Sequence, residues 1–255
     1  MADLMLNGKV AIVTGAGSGI GEAISIVLAN EGVKVILADL VEEKSEKVAE
    51  KIKNLGGEAY PIKVDVSDHS MVKGLFDSAL KKYRRVDILV TAAGISARGR
   101  VEEITDESWE KTIAINLTGT FFCVQEAVKI MKKQGEGKIV TISSDTAKRG
   151  GGRSGGAGSS YAASKAGVIA LTKTVAIELR DYPDIYLNCI CPGPTDTPMH
   201  KNMTLEERQK IIKEIPKGRY ARPEEIANAV LFLVSELSTF VYAETLNVDG
   251  GVIRE

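Results

Sequence analysis

Short runs of apolar residues alternate along the whole chain with longer stretches in which apolar positions recur at helical spacing. The short runs, rich in Val and Ile and bounded by turn residues, read as buried strands; the longer stretches read as amphipathic helices. Strands are predicted at Lys9–Thr14, Val33–Asp39, Ala59–Asp65, Val86–Ala92, Gly137–Ser143, Ile185–Ile190 and Thr245–Val248. Helices are predicted at Glu22–Glu31, Glu43–Asn54, Glu107–Gln134, from Tyr161 to Arg180 and at Glu224–Glu236 behind Pro223, with a further one capped by Ser67 or Asp68. This alternation predicts an α/β fold, a Rossmann-like doubly wound parallel sheet of about seven strands flanked by helices. No repeat or linker divides the 255 residues, and a single domain over 1–255 is expected.

Two stretches stand outside the alternation. Residues 150–158, GGGRSGGAG, form a glycine-rich insertion between the fifth strand and the following helix. Such a segment loses much backbone entropy on ordering, which predicts a mobile loop at the carboxyl edge of the sheet. Residues 196–220 follow the sixth strand and are expected to act as a lid over a pocket.

Composition removes several alternatives. Apolar content of 44%, charged content of 26% and a net charge of −1 are those of an ordinary globular chain, with no general attraction to nucleic acid or an acidic membrane. No apolar run reaches the roughly 18 residues of a membrane span. The start MADLMLNGKV lacks the pattern of a signal peptide, and a cytoplasmic location is expected. Cys123, Cys189 and Cys191 read as buried reduced thiols. His69 and His200 stand far apart and no Cys/His cluster has zinc spacing, so no metal is expected.

Candidate chemistry lies at two places. Tyr161 and Lys165, in SSYAASKAG, are four residues apart and share one helix face. A free tyrosine, with pKa about 10, is a poor base near neutrality. A nearby ammonium stabilises the phenolate, and such a pair can take a proton from an alcohol or return one to a ketone. Alone, YxxxK arises often by chance, and its plainest reading is a solvated helix face. TGAGSGIG supplies the context: it follows a strand, opens a helix and fits TGxxxGxG at Gly15, Gly19 and Gly21, although neither GxGxxG nor GxxxxGK[ST] is satisfied. Asp39, at the end of the second strand, can accept hydrogen bonds from both ribose hydroxyls and repel a 2′-phosphate. With no basic residue in Ala16–Ser18 or directly after Asp39, the expected cofactor is NAD.

Together these features resemble the short-chain dehydrogenase/reductase family over essentially the whole chain. The resemblance also rests on Asp65-Val66, Ala92-Ala93-Gly94, Asn116 in AINLTGTFF, ISS at Ile142–Ser144, PGPTDTP at Pro192–Pro198 and the late NVDGG. It implies Tyr161 as general acid/base, with Lys165 lowering its pKa and holding the nicotinamide ribose. Ser144 would hydrogen-bond the substrate oxygen, and Asn116 would hold a relay water. Gly15, Ser18, Gly19, Ile20, Gly21, Asp39, Asp65, Val66, Ala92, Ala93, Gly94, Tyr161, Lys165, Pro192, Gly193, Thr195 and Thr197 would contact the dinucleotide. Three departures stand out: Thr91 where the family usually has Asn, Tyr242-Ala243 where Thr-Gly is frequent, and a long Ser144-to-Tyr161 interval that leaves Ser143 as an alternative.

The resemblance implies hydride transfer between the nicotinamide and a small-molecule secondary alcohol or ketone. An NAD preference points to a polyol, sugar or sugar acid; the alternative is 3-oxoacyl thioester reduction, and a non-catalytic NAD-binding protein is a remote third. Arg98, Lys148, Arg149 and Arg153 are candidates to meet an anionic group at the mouth, against a plain reading as solvated loop charges. Gly152-Arg-Ser154-Gly-Gly156 matches GxSxG as a string but lacks the strand and helix a nucleophile elbow requires. A homotetramer or homodimer is implied, with the helices around 108–132 and 161–180 at an interface.

Overall fold

The computed structural model describes residues 4–96, 98–151, 158–201 and 203–254. Its strands are β1 (Val10–Thr14), β2 (Lys34–Asp39), β3 (Ala59–Lys63), β4 (Ile88–Thr91), β5 (Gly137–Ile142), β6 (Ile185–Pro192) and β7 (Thr245–Val248). They form one parallel sheet in the order β3-β2-β1-β4-β5-β6-β7. The connecting helices are α1 (Gly19–Asn30), α2 (Glu42–Asn54), α3 (His69–Tyr83), α4 (Asp106–Ile113), α5 (Gly119–Gln134), α6 (Thr146–Arg149), α7 (Ser159–Glu178), α8 (Leu205–Glu214) and α9 (Pro223–Val234). The predicted doubly wound α/β architecture is the observed one.

Alternation along the central strands creates two cores. On β1, Ala11 and Val13 join Leu28 of α1 and Val230 of α9, while Val10 and Ile12 join Phe76 of α3 and Met131 of α5. Both faces are covered, so β1 and β4 are buried at every residue and carry no polar-out positions. Each fully buried side chain of this size contributes about 1.5–3 kcal/mol, and this packing holds the strand ends in place. β3 lies at the sheet edge with every residue at least partly exposed, which is where Pro61, lacking an N–H, is tolerated within a strand.

The predicted single helix Glu107–Gln134 is helical throughout but not uniform. Between α4 and α5 the residues Ala114–Thr118 form a π turn. The extra residue per turn rotates Asn116 inward, where it is fully buried. Helix α3 is capped by Asp68, whose side chain accepts from the Ser70 and Met71 N–H groups, so Asp68 rather than Ser67 starts it. Pro223 is the first residue of α9, as its sequence position predicts.

The region 196–220 has more structure than a plain loop: a 3-10 turn at Pro198–His200, then α8, whose Thr204 and Glu207 form a reciprocal capping box. Helix α8 buries none of its residues. Most of the glycine-rich insertion, including Arg153 and Ser154, lies outside the described residues. All three cysteines are buried and free, with Cys189 and Cys191 packed against Val168 of α7. Among the described residues no helix is long and apolar enough to cross a membrane, and no cluster of side chains could hold a metal ion.

Candidate active site

The chain winds from β1 outward to β3 on one side and restarts at β4 on the other, which opens a crevice at the carboxyl ends of β1 and β4. A cavity of about 450 Å³ occupies it. Every residue that the sequence assigned to catalysis or cofactor contact lines this cavity except Asn116.

The turn after β1 is glycine by necessity. Gly15 has φ +66°, and a Cβ there would lie 2.7 Å from the Ala93 Cα. At Gly21 a Cβ would stand 2.2 Å from the Gly15 carbonyl oxygen. The turn is thereby pressed against both the strand-four loop and the first turn of α1. Helix α1 starts behind Ser18, whose side chain makes no capping bond, so its first N–H groups are open to the cavity as an anion site. Thr197 reaches over from the other wall to lie close to Gly19.

The far end of the cavity carries the acidic residues. Asp39 accepts from the Gly17 N–H at 2.9 Å and from the Val41 N–H at 3.0 Å, which orients its carboxylate beside the glycine turn. Asp65 is turned by Ser67, which donates through both its N–H and its hydroxyl, and Val66 forms the adjoining wall. Lys44 on the first turns of α2 also lines this end, and its Cβ would be 2.7 Å from a Cβ at Gly17. No base directly follows Asp39 in the sequence, but a single helical turn brings Lys44, five residues on, back to the cavity. The residues present fit a dinucleotide: close-approach glycines, an open helix N-terminus and a carboxylate at the ribose end.

At the other end α7 presents Tyr161 and Lys165 side by side. The Lys165 ammonium donates to the Ile142 carbonyl at 2.8 Å and lies 5.9 Å from the Tyr161 ring centre. Among the described residues no carboxylate partners it, and burial brings its pKa down to about 8. Burial pushes the Tyr161 phenol up to about 12, opposed by a hydrogen bond with Ser144. Ser144 is the contact that lowers the Tyr161 pKa here, and burial outweighs it.

The two serines after β5 separate clearly. Ser143 donates to the Lys165 carbonyl at 2.7 Å and ties β5 to α7. Ser144 donates to Asp145 at 3.1 Å, accepts from the Thr146 N–H at 3.2 Å and neighbours Tyr161, whose pKa it lowers. The Asn116 side chain is fully engaged within the protein. Its amide oxygen accepts from the Ile95 N–H at 2.8 Å, and its nitrogen donates to the Ile95 carbonyl at 2.9 Å and to Ser164 at 3.1 Å. It clamps the loop after β4 to α7 from beneath the cavity.

The mouth of the cavity is charged. Arg149 lines it but is paired with buried Asp145 at 2.8 Å and stands 3.8 Å from Glu214 of α8. Arg208 of α8 pairs with Asp196 at 2.8 Å and lies 4.7 Å from the Tyr220 ring. Arg98, His200, Met199, Met203 and Ile211 complete the walls. His200 shares its Nδ1 with the Thr195 carbonyl at 2.9 Å, and burial lowers its pKa, which keeps the ring neutral. The expected lid, 196–220, supplies Met199, His200, Met203, Ile211 and Glu214 to these walls, but which of its side chains enter the cavity was not legible from the sequence. No local pattern within that segment marks them.

The family pattern described as enoyl-(acyl carrier protein) reductase matches residues 15–253. The chain is 38% identical to a 3-oxoacyl-[acyl-carrier-protein] reductase of Thermotoga maritima, over 98% of this chain and 100% of the relative; proteins of the same name from Chlamydia pneumoniae and Aquifex aeolicus are similar. It is likewise 38% identical to the cis-4-hydroxycyclohexanecarboxylate dehydrogenase of Sinomonas cyclohexanicum, over 95% and 96% of the two chains. A crystal structure of a short-chain type dehydrogenase/reductase from Mycobacterium marinum superposes with a TM-score of 0.93 at 32% identity, covering 99% of both. With this breadth of agreement over one fold and one crevice, the chain belongs to the short-chain dehydrogenase/reductase family. It is an oxidoreductase of a family that acts on CH–OH groups.

Proposed function

We propose that this protein interconverts a secondary alcohol and its ketone, with Tyr161 as the general acid/base, Ser144 holding the reacting oxygen and Lys165 charging the site. The observation that carries this reading is the convergence of Tyr161, Ser144 and Lys165 on one end of a cavity whose other end is a glycine turn and an open helix N-terminus. When bound there, a nicotinamide dinucleotide supplies or accepts the hydride. The chain's own residues do the rest. Gly15, Ser18, Gly19, Ile20 and Gly21 hold the pyrophosphate, Asp39 the adenosine ribose, and Asp65 and Val66 the adenine. Ala92, Ala93 and Gly94 line the channel, while Pro192, Gly193, Thr195 and Thr197 flank the nicotinamide. Tyr161 and Ser144 bracket one oxygen, so the proton that leaves or joins it passes through the Tyr161 hydroxyl. Asn116 acts here as a positioning residue, setting the floor on which these groups stand.

For the substrate, an NAD preference points to a polyol, sugar or sugar acid. The relatives named 3-oxoacyl reductases support the alternative better, and reduction of a 3-oxoacyl thioester is the reading we place first. The second reading is oxidation of a ring or chain alcohol, supported by the relative named for a hydroxycyclohexanecarboxylate. The oriented Asp39 carboxylate supports NAD as the cofactor, although Lys44 beside it could receive a 2′-phosphate. A homodimer or homotetramer is proposed, supported by the exposed apolar side chains Trp109, Phe121 and Ile177 on α4, α5 and α7. Light scattering tests it, and a mass near one 27.3 kDa chain would reject it.

The direct test follows absorbance at 340 nm with NAD(H) and NADP(H), against 3-oxoacyl thioesters, polyols and hydroxy acids, for wild type and Tyr161→Phe. Turnover of one class that is lost in the variant supports the proposal. Turnover that survives the variant refutes the role of Tyr161.

A further inference from the structure

The charges at the cavity mouth do not balance around one residue. Arg149 is matched by Asp145 and Glu214, and Arg208 by Asp196. Glu207, the remaining carboxylate close to Arg98, is engaged in the cap of α8, where it accepts from the Thr204 N–H at 2.7 Å. Arg98 itself lines the cavity and is exposed, and among the described residues no carboxylate lies within ion-pair distance of it. Its charge is nevertheless felt there, adding to the lowered pKa values of both His200, where burial comes first, and Glu207, where the Thr204 cap comes first.

We propose that Arg98 is a specificity-determining residue that binds an anionic oxygen group of the substrate. This rests on the oxidoreductase reading of the same cavity and narrows its substrate class. The guanidinium is permanently charged and presents a planar fork that matches a carboxylate or a phosphate by two parallel hydrogen bonds. A solvated surface arginine would need no such partner, but Arg98 forms part of a cleft wall. The same cavity is also lined by apolar Ile95, Met199 and Met203. Neutral His200, its Nδ1 held by Thr195, adds no second positive charge and leaves its other ring nitrogen for a hydroxyl of the same substrate. The anion has two sources: the free carboxylate of a hydroxy acid, or the phosphate of a phosphopantetheine arm carrying an acyl thioester.

Two matched pairs of compounds separate them. The carboxylate arm compares 3-hydroxybutanoate with its methyl ester on the NAD-loaded protein. The phosphate arm compares 3-oxobutanoyl-coenzyme A with the 3-oxobutanoyl thioester of N-acetylcysteamine on the NADH-loaded protein. Affinities are read by calorimetry for wild type, Arg98→Gln and Arg98→Lys. The expected result is a preference of about tenfold for the anionic member of one pair, lost in Arg98→Gln and partly restored in Arg98→Lys. Which pair responds names the source of the anion. No preference in either pair, or a preference that survives Arg98→Gln, overturns the proposal. Dinucleotide affinity measured on the same samples checks the fold of each variant. A wild-type protein that binds no dinucleotide would instead refute the oxidoreductase reading beneath it.

Discussion

The Lys165 ammonium lies 5.9 Å from the centre of the Tyr161 ring, one helical turn away on the same face of α7. Both groups are held toward their neutral forms by burial, with Tyr161 near 12 and Lys165 near 8. For alcohol oxidation this predicts a rate that rises with pH toward the alkaline range, because the base must give up its proton. Tyr161→Phe is expected to lower kcat by about 10²–10⁴, the usual worth of a positioned proton donor, with little change in dinucleotide affinity. Steady-state kinetics with calorimetry of dinucleotide binding checks both halves.

Lys165 also predicts a pH dependence of stability. Its folded pKa of about 8 lies below the ordinary value of 10.5. Between these values the unfolded chain binds a proton that the folded chain does not, so stability rises with pH across the window and is lost as pH falls toward 8. Wild type should gain on the order of 3 kcal/mol relative to Lys165→Met between pH 8 and pH 10.5. Tyr161 titrates in the opposite sense above pH 10, so the comparison is best made in a Tyr161→Phe background by urea denaturation. A flat difference across the window would refute the buried, unpaired ammonium.

Asp39 and Lys44 make a prediction about the cofactor. Wild type is expected to prefer NAD, because the Asp39 carboxylate would face a 2′-phosphate. Asp39→Ala should reduce kcat/KM for NAD by about tenfold, one charged hydrogen bond, and raise it for NADP. In that background Lys44→Ala should remove the NADP gain. If Lys44→Ala leaves it untouched, Lys44 does not reach the 2′ position.

Asn116 should behave as a structural clamp. Asn116→Ala removes three hydrogen bonds and leaves the Ile95 N–H and carbonyl without their partners. The expected loss is about 2–4 kcal/mol of stability, together with lower kcat as the β4 loop loosens. Thermal unfolding and kinetics of the same preparation test the pair of effects.

Ala243 adopts φ +56°, a left-handed conformation that disfavours a Cβ. It occupies a position where the family often has glycine, and its N–H still donates to the Leu187 carbonyl at 3.1 Å. Relief of the left-handed strain exceeds the extra chain entropy of glycine, so Ala243→Gly is expected to stabilise the protein by about 0.5–1 kcal/mol. This corresponds to a rise in Tm of roughly 1–4 °C. A lower Tm would show that Tyr242, bonded to the Ala176 carbonyl at 2.5 Å, needs the stiffer neighbour.

The sequence by itself determined the elements, their order and most of the cavity. Strand and helix periodicities are local properties, and burial on both faces makes the central strands continuous apolar runs such as VAIVT. The glycines at 15, 19 and 21 and the Tyr161/Lys165 spacing were legible for the same reason: each encodes a contact within one turn or one helix. Tertiary structure decided what depends on residues far apart. It separated Ser144 from Ser143, because only packing of β5 on α7 commits the Ser143 hydroxyl to the Lys165 carbonyl and leaves Ser144 as the neighbour of Tyr161. It committed the Asn116 amide to Ile95 through a π turn that no apolar pattern announces. It also sorted the mouth cations, neutralising Arg149 through Asp145 and Glu214 and leaving Arg98 on the wall. A charge has the same letter in the sequence whether or not it is paired; its partner is set by the long-range folding of the chain.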